Sequence, residues 1–167
     1  MSGKDKNKIK TNALRALDTK KIPHQVYSYE APDGFLDGIS AARSMGLDVG
    51  RVFKTLVTQG TSKEYYVCVI PVACELNLKK AARHFGEKKI EMIHARDITA
   101  VTGYIKGGCS PLGMKKQFPT AIDQRAGAFS NIVVSAGKVG LQMDVPVSAL
   151  LSLARAELAD LADPMPV

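Results

Sequence analysis

The 167-residue sequence predicts a single α/β domain, of α+β type, on a mixed sheet that can curl into a barrel-like form. Three observations carry that prediction. Strand-like segments occur both in direct succession and separated by helical ones, a pattern that fits a mixed sheet better than a doubly wound parallel one. One segment, YYVCVIPV, is almost continuously apolar, as a strand covered on both faces must be. The chain is also long enough to bury a real core and short enough to form only one.

The elements follow in order. Residues 1–8 read as a basic tail, residues 9–163 as the domain and residues 164–167 as a short C-terminal tail. TNALRALDTKK is a helix, capped by Thr11 or Asn12, with Ala13, Leu14 and Leu17 at helical spacing. Ile22-Pro23 stops it, and HQVYSYE alternates as a strand. After the APDGF turn, a short helix spans Ile39 to Met45 and ends at Gly46. VFKTLVT and YYVCVIPV are strands joined by QGTSKE, the second of them central. Asn77 caps a helix, LKKAARHF, that Gly86 closes. KIEMI is a short strand, and ARDITAVTG is a helix ended by Gly103. PTAID, NIVVSA and VGLQMDV are further strands, and PVSALLSLARAEL is a closing helix with Pro146 in its first turn. There is no internal repeat, linker or low-complexity segment.

Composition narrows the function classes. A hydrophobic content of 46% and a charged content of 23% are those of an ordinary globular protein. No apolar run approaches the ~20 residues needed to cross a bilayer. MSGKDKNKIK lacks the apolar segment of a secretory signal, so a cytoplasmic protein without membrane contact is expected. Cys68, Cys74 and Cys109 form an odd set without a CxxC pair, which argues against a disulfide framework. His24, His84 and His94 show no metal-ligand spacing, so neither a metal nor a cofactor is expected. A monomer is expected, because no exposed apolar stripe is evident. The net charge of +7 favours a polyanionic partner, although solvated helix faces and a lysine-rich tail explain it equally well.

Four places invite a chemical reading. In FKTL, strand alternation sets Phe53 and Thr55 against Lys54 and Leu56, so Lys54 shares an apolar face and must snorkel out or enter a cleft. GYIKGGCSPLGMKK matches neither a Walker loop nor GxGxxG. Its Gly107-Gly108 pair offers two adjacent N–H groups to a developing oxyanion, or only a rigid turn. Cys109 has no histidine placed by sequence to activate it. VSAGKVGLQM, with Ser135, Gly137 and Gly140, reads as a hairpin by default. Tyr27 and Tyr29 share a strand face, which is more often core or interface than chemistry.

In this order, KTNALRALD, IPHQVYSYE, VFKTLV, ELNLKKAA, TGYIKGGCSPLGMKK and VSAGKVGLQM resemble the YbaK/EbsC family of aminoacyl-tRNA editing proteins, the Cys-tRNA(Pro) deacylases. The resemblance runs from about Lys10 to the last helix. It implies a mixed, barrel-like sheet flanked by helices and removal of a misplaced cysteine from the 3′ acceptor end of a tRNA, in trans. It also implies Lys54, Gly107 and Gly108 as the catalytic set, the glycine amides facing the substrate carbonyl. Tyr29, Thr55, Ser110, Pro111, Ser135 and Gly137 would shape the substrate pocket. Assistance by the substrate's own thiol would explain the absence of a catalytic triad, and the reaction could be classed as hydrolase or lyase chemistry. Aminoacyl-tRNA is the implied partner, with prolyl-tRNA synthetase as a candidate companion. Ala136 departs from the glycine common at that position. An Ala-tRNA(Pro)-type deacylase, or a non-catalytic tRNA- or synthetase-binding module, are the alternatives.

Overall fold

The computed structural model describes residues 10–34 and 36–166. The expected basic tail, 1–8, lies outside the described residues.

The chain opens with helix α1 (Asn12–Thr19), whose Thr11 cap accepts a hydrogen bond from the Leu14 N–H at 3.1 Å. Strand β1 (Gln25–Ser28) and helix α2 (Gly38–Ser44) follow. Strands β2 (Phe53–Gly60) and β3 (Tyr65–Pro71) form an antiparallel hairpin, and β4 (Cys74–Leu76) turns away from it. Helix α3 (Leu78–Phe85) leads to β5 (Ile90–Met92) and to the short helix α4 (Ile98–Thr102). Beyond the glycine-rich loop come β6 (Thr120–Asp123), β7 (Asn131–Lys138), β8 (Leu141–Pro146) and helix α5 (Val147–Ala154). Strands β9 (Glu157–Ala159) and β10 (Ala162–Pro164) complete the described chain.

Three sheets result, in the orders β5-β2-β3-β6-β9, β1-β8-β7 and β10-β4. The largest is mixed: β2 runs antiparallel to β3 and β5, whereas β6 is parallel to both β3 and β9. A parallel bridge between Val52 and Val133 ties the start of β2 to β7, so the two larger sheets curl against each other. β3 is central, and Tyr66 through Pro71 are all buried, as its continuous apolarity requires. One core packs α1 and α5 on the sheets through Leu17, Phe53, Ile122, Ile132, Met143 and Leu150. A second lies under α3, with Cys68, Ile70, Ala81, Ile90 and Leu161.

Two elements differ from the sequence reading. ARDITAVTG divides into a 3-10 turn at Ala95–Asp97 and the short α4. The closing helix stops at Ala154, with Arg155 left-handed at φ 51°, instead of continuing through Leu158. Tertiary bonds override local helix propensity at that point. The fully buried Asp123 carboxylate accepts the Leu161 and Ala162 N–H groups at 3.1 and 2.9 Å, drawing the chain out as β9 and β10. β10 pairs Pro164 with Cys74, and the Met165 N–H donates to the Ala73 carbonyl at 3.2 Å, so these two residues, expected in the C-terminal tail, are tied to β4 and the residue before it.

Candidate active site

A cavity of about 470 Å³ opens where the two larger sheets meet. Its floor is the first half of β2, from Phe53 to Val57. Ser135 of β7 and Gln142 of β8 form one wall, with Tyr29 just past β1 beside them. Helix α2, the segment after β5, and Lys106, Gly107 and Cys109 of the glycine-rich loop complete it.

Both faces of β2 are covered. Phe53 belongs to the first core and Leu56 packs against the second, so Lys54 on the Leu56 face is half-buried among apolar neighbours. Desolvation pulls its ammonium below the usual lysine range, opposed by the nearby Cys74 and Glu75. Among the described residues no carboxylate lies within ion-pair distance of Lys54. A partly desolvated cation without a partner is therefore presented to the cavity.

The glycine-rich loop meets it from the other side. The Gly108 N–H donates to the Ile105 carbonyl at 2.9 Å, and Gly107 has φ +85°, the arrangement of a type II turn. A Cβ on Gly108 would lie 2.9 Å from the Val139 nitrogen, so this turn rests directly on the backbone of the β7–β8 hairpin. The Gly108 amide is thus spent within the turn. The Gly107 N–H makes no hydrogen bond among the described residues, and Gly107 lines the cavity.

Of the residues singled out by sequence, Tyr29, Lys54, Thr55, Gly107 and Ser135 line this one cavity. Gly108, Ser110, Pro111 and Gly137 are not among its lining residues. Ser110 is fully buried, and its hydroxyl accepts the Leu112 N–H at 3.3 Å. Gly137 occupies an irregularity in β7 at φ +99°, and its N–H donates to Ser135 Oγ at 3.1 Å. It thus touches a residue of the cavity lining without lining the cavity itself. Cys109 lines the cavity, but burial pushes its thiol up to about 11, so it stays protonated at neutral pH.

Gln142 was not anticipated. Its Oε1 and the Thr55 Oγ1 are buried without hydrogen-bond partners among the described residues, and both residues line the cavity. A buried polar atom left unpaired costs about 1–3 kcal/mol, which marks these two as groups that a ligand can satisfy. Gln142 sits directly across from Ser135 in the β7–β8 register, a juxtaposition visible only once that register is known. Behind it on the same strand face, Asp144 accepts the Arg51 Nη2–H at 2.7 Å. Among the described residues, no group of three or more His, Cys, Asp or Glu side chains is placed to hold a metal ion.

Comparison with known proteins bears on this geometry. The sequence profile described as aminoacyl-tRNA editing domain matches residues 38–153. A protein of Enterococcus faecalis, named provisionally as the Cys-tRNA(Pro)/Cys-tRNA(Cys) deacylase EbsC, is 47% identical over 158 residues, covering 95% of this chain and 96% of its own. A proline–tRNA ligase of Pelobacter propionicus is 29% identical over 97 residues, 58% of this chain and 17% of that enzyme. Among solved structures, one described provisionally as a trans-editing enzyme for prolyl tRNA synthetase superposes with a TM-score of 0.78 at 24% identity, covering 93% of this chain and 99% of the other.

Proposed function

The chain belongs to the aminoacyl-tRNA editing domain family, and on that premise we propose that it deacylates mischarged Cys-tRNA(Pro) in trans. The observation that carries the reading is the placement of an unpartnered, half-buried Lys54 ammonium in one cavity with the Gly107 N–H and two unpaired acceptors, Thr55 and Gln142.

An aminoacyl ester is already activated, so the site needs to orient it and stabilise its oxyanion more than to attack it. The substrate α-ammonium is held by Gln142 Oε1 and Thr55 Oγ1. Its carbonyl oxygen faces Lys54 and the Gly107 N–H. Because the Gly108 amide is committed to Ile105, Lys54 serves as the second donor to the oxyanion in place of a second glycine amide. The substrate's own thiol then attacks the carbonyl carbon: the S–C bond forms, the ester C–O bond breaks, and the thiol proton passes to the departing ribose oxygen. Water hydrolyses the resulting thiolactone to cysteine. Recovery of the thiolactone itself would place the enzyme step among lyases, and direct formation of cysteine would place it among hydrolases.

The test is deacylation of Cys-tRNA(Pro), Ala-tRNA(Pro) and Pro-tRNA(Pro) by the wild type and by Lys54→Ala. Rapid loss of cysteine alone is expected, slowed about 10²-fold or more by the substitution. Preferential loss of alanine would instead identify an Ala-tRNA(Pro)-type deacylase, and binding without turnover a recognition module.

A further inference from the structure

A second cavity, of about 320 Å³, shares Met92 and Ile93 with the first. Its size is at the lower end of the range for small-ligand sites, about 300–1,000 Å³. Its character differs from that of its apolar neighbour, because Lys63, Lys89, His94, Asp97, Glu91 and Tyr65 all line it. Lys89 is paired with Glu91 at 3.0 Å. Lys63, at the tip of the β2–β3 hairpin, makes no ion pair among the described residues. The His94 and Asp97 side chains make no cap bonds to the turn and helix that they begin. An unpaired Lys63, the Lys89–Glu91 pair, the Asp97 carboxylate and part of an aromatic ring thus converge at the rim of the candidate active site.

We propose that this cavity is the subsite for the nucleotide that precedes the esterified one, taking its phosphate on Lys63 and Lys89 and its base beside Tyr65. The proposal rests on the editing reading above. With the aminoacyl group beside Lys54, the terminal ribose sits at the mouth of the first cavity, and the next phosphate must leave along one of its rims. The rim at Met92 and Ile93 opens onto a second hollow, of mixed charge, behind it. Every tRNA ends in cytidine-cytidine-adenosine, so that nucleotide is a cytidine. Its exocyclic amine is a donor suited to a carboxylate acceptor, a role that Asp97 fills. The mixed charge of the hollow suits such a nucleotide better than it suits a bare anion. The exposed Lys79 and Arg83 of α3 and Lys88 after it add positive charge to the segment that leads into β5, whereas Lys80 is held by Asp160 and Asp163 at 3.0 Å each.

The test compares a tRNA substrate with one too short to reach the hollow. Lys63 has φ +76°, a conformation that glycine adopts more easily, so Lys63→Gly removes the charge without straining the turn. The Lys63→Gly/Lys89→Ala variant is expected to lose about 10-fold in kcat/KM on Cys-tRNA(Pro), with a salt dependence shallower by about 0.7 per contact removed. On 3′-cysteinyl adenosine it should match the wild type within about 2-fold, and its melting temperature should not fall. A Cys-tRNA(Pro) ending in CUA should be a poorer wild-type substrate by about 10-fold. Equal losses on the long and short substrates, or no loss on either, would overturn the subsite, and indifference to the base change would overturn its assignment to cytidine. Should the wild type deacylate nothing, the editing reading fails, and the hollow is still tested directly by calorimetry with the dinucleotide CpA. Binding by the wild type that is lost in the double variant supports the subsite, and absence of binding to the wild type removes it.

Discussion

At the scale of the residue, Lys54 shows how a site is maintained against the stability of its own fold. Burial disfavours its charged form, so the folded chain releases that proton at lower pH than the unfolded one. Below both pKa values the penalty is present in full. Between them the unfolded chain binds more protons, and stability rises with pH until the unfolded lysine has titrated. Lys54→Met is therefore expected to raise the neutral-pH melting temperature and to remove the part of the alkaline stability rise due to this group, while deacylation falls about 10²-fold or more. Calorimetric melting across neutral to alkaline pH, paired with an activity assay, checks both halves. On pattern alone Lys54 was ambiguous, because a snorkelling lysine and a cleft lysine share the same alternation. Gln142 was not legible at all. It is one polar residue between Leu141 and Met143, and only its cross-strand pairing with Ser135 places it at the cavity.

At the scale of the element, turns and caps were read more reliably than the chain's last strands. The Thr11 and Asn77 caps are where local chemistry puts them, since each side chain accepts an N–H of its own first turn. The glycine-rich segment was legible as a special loop, but the use of its amides was not. The turn bond from Gly108 to Ile105 depends on backbone geometry that composition does not specify. A Cβ added to Gly108 would press on the Val139 nitrogen and on the Lys138 carbonyl carbon, 2.9 and 3.0 Å away. Both are backbone atoms with little room to yield. Gly108→Ala should cost about 1–3 kcal/mol in denaturant unfolding and lift the loop off the hairpin. Turnover should fall by more than a pure stability effect predicts, because Gly107 and Lys106 move with the loop. Strands β9 and β10 were missed for a different reason. Their ordering comes from pairing with β6 and β4 and from the buried carboxylate of Asp123, all remote in sequence and invisible to a local window.

At the scale of the whole molecule, the cavity exists because two sheets are held at one seam. The Val52–Val133 bridge and the Arg51–Asp144 pair hold the entry of β2 against β7 and β8. Asp144 is largely buried, with one carboxylate oxygen already unpaired among the described residues. Arg51→Met should therefore destabilise by about 3 kcal/mol, and Arg51→Met combined with Asp144→Leu should recover most of that loss. Chemical denaturation of the two variants measures both values. The mixed sheet itself was legible from the order of hairpin and helical segments. The seam was not, because its contacts join residues with no shared local pattern.

The parallel pairing of β3 with β6 has a consequence for how the molecule forms. Between these two strands the chain makes β4, α3, β5, α4 and the glycine-rich loop, so one long closure encircles much of the cavity wall. The β2–β3 and β7–β8 hairpins close locally and can form early. The β3–β6 seam must wait for a slow, entropically costly search, as non-local pairings do. During refolding, native-like hairpins should therefore precede any capacity to hold a substrate, and the binding cavity should be among the last parts of the molecule to appear.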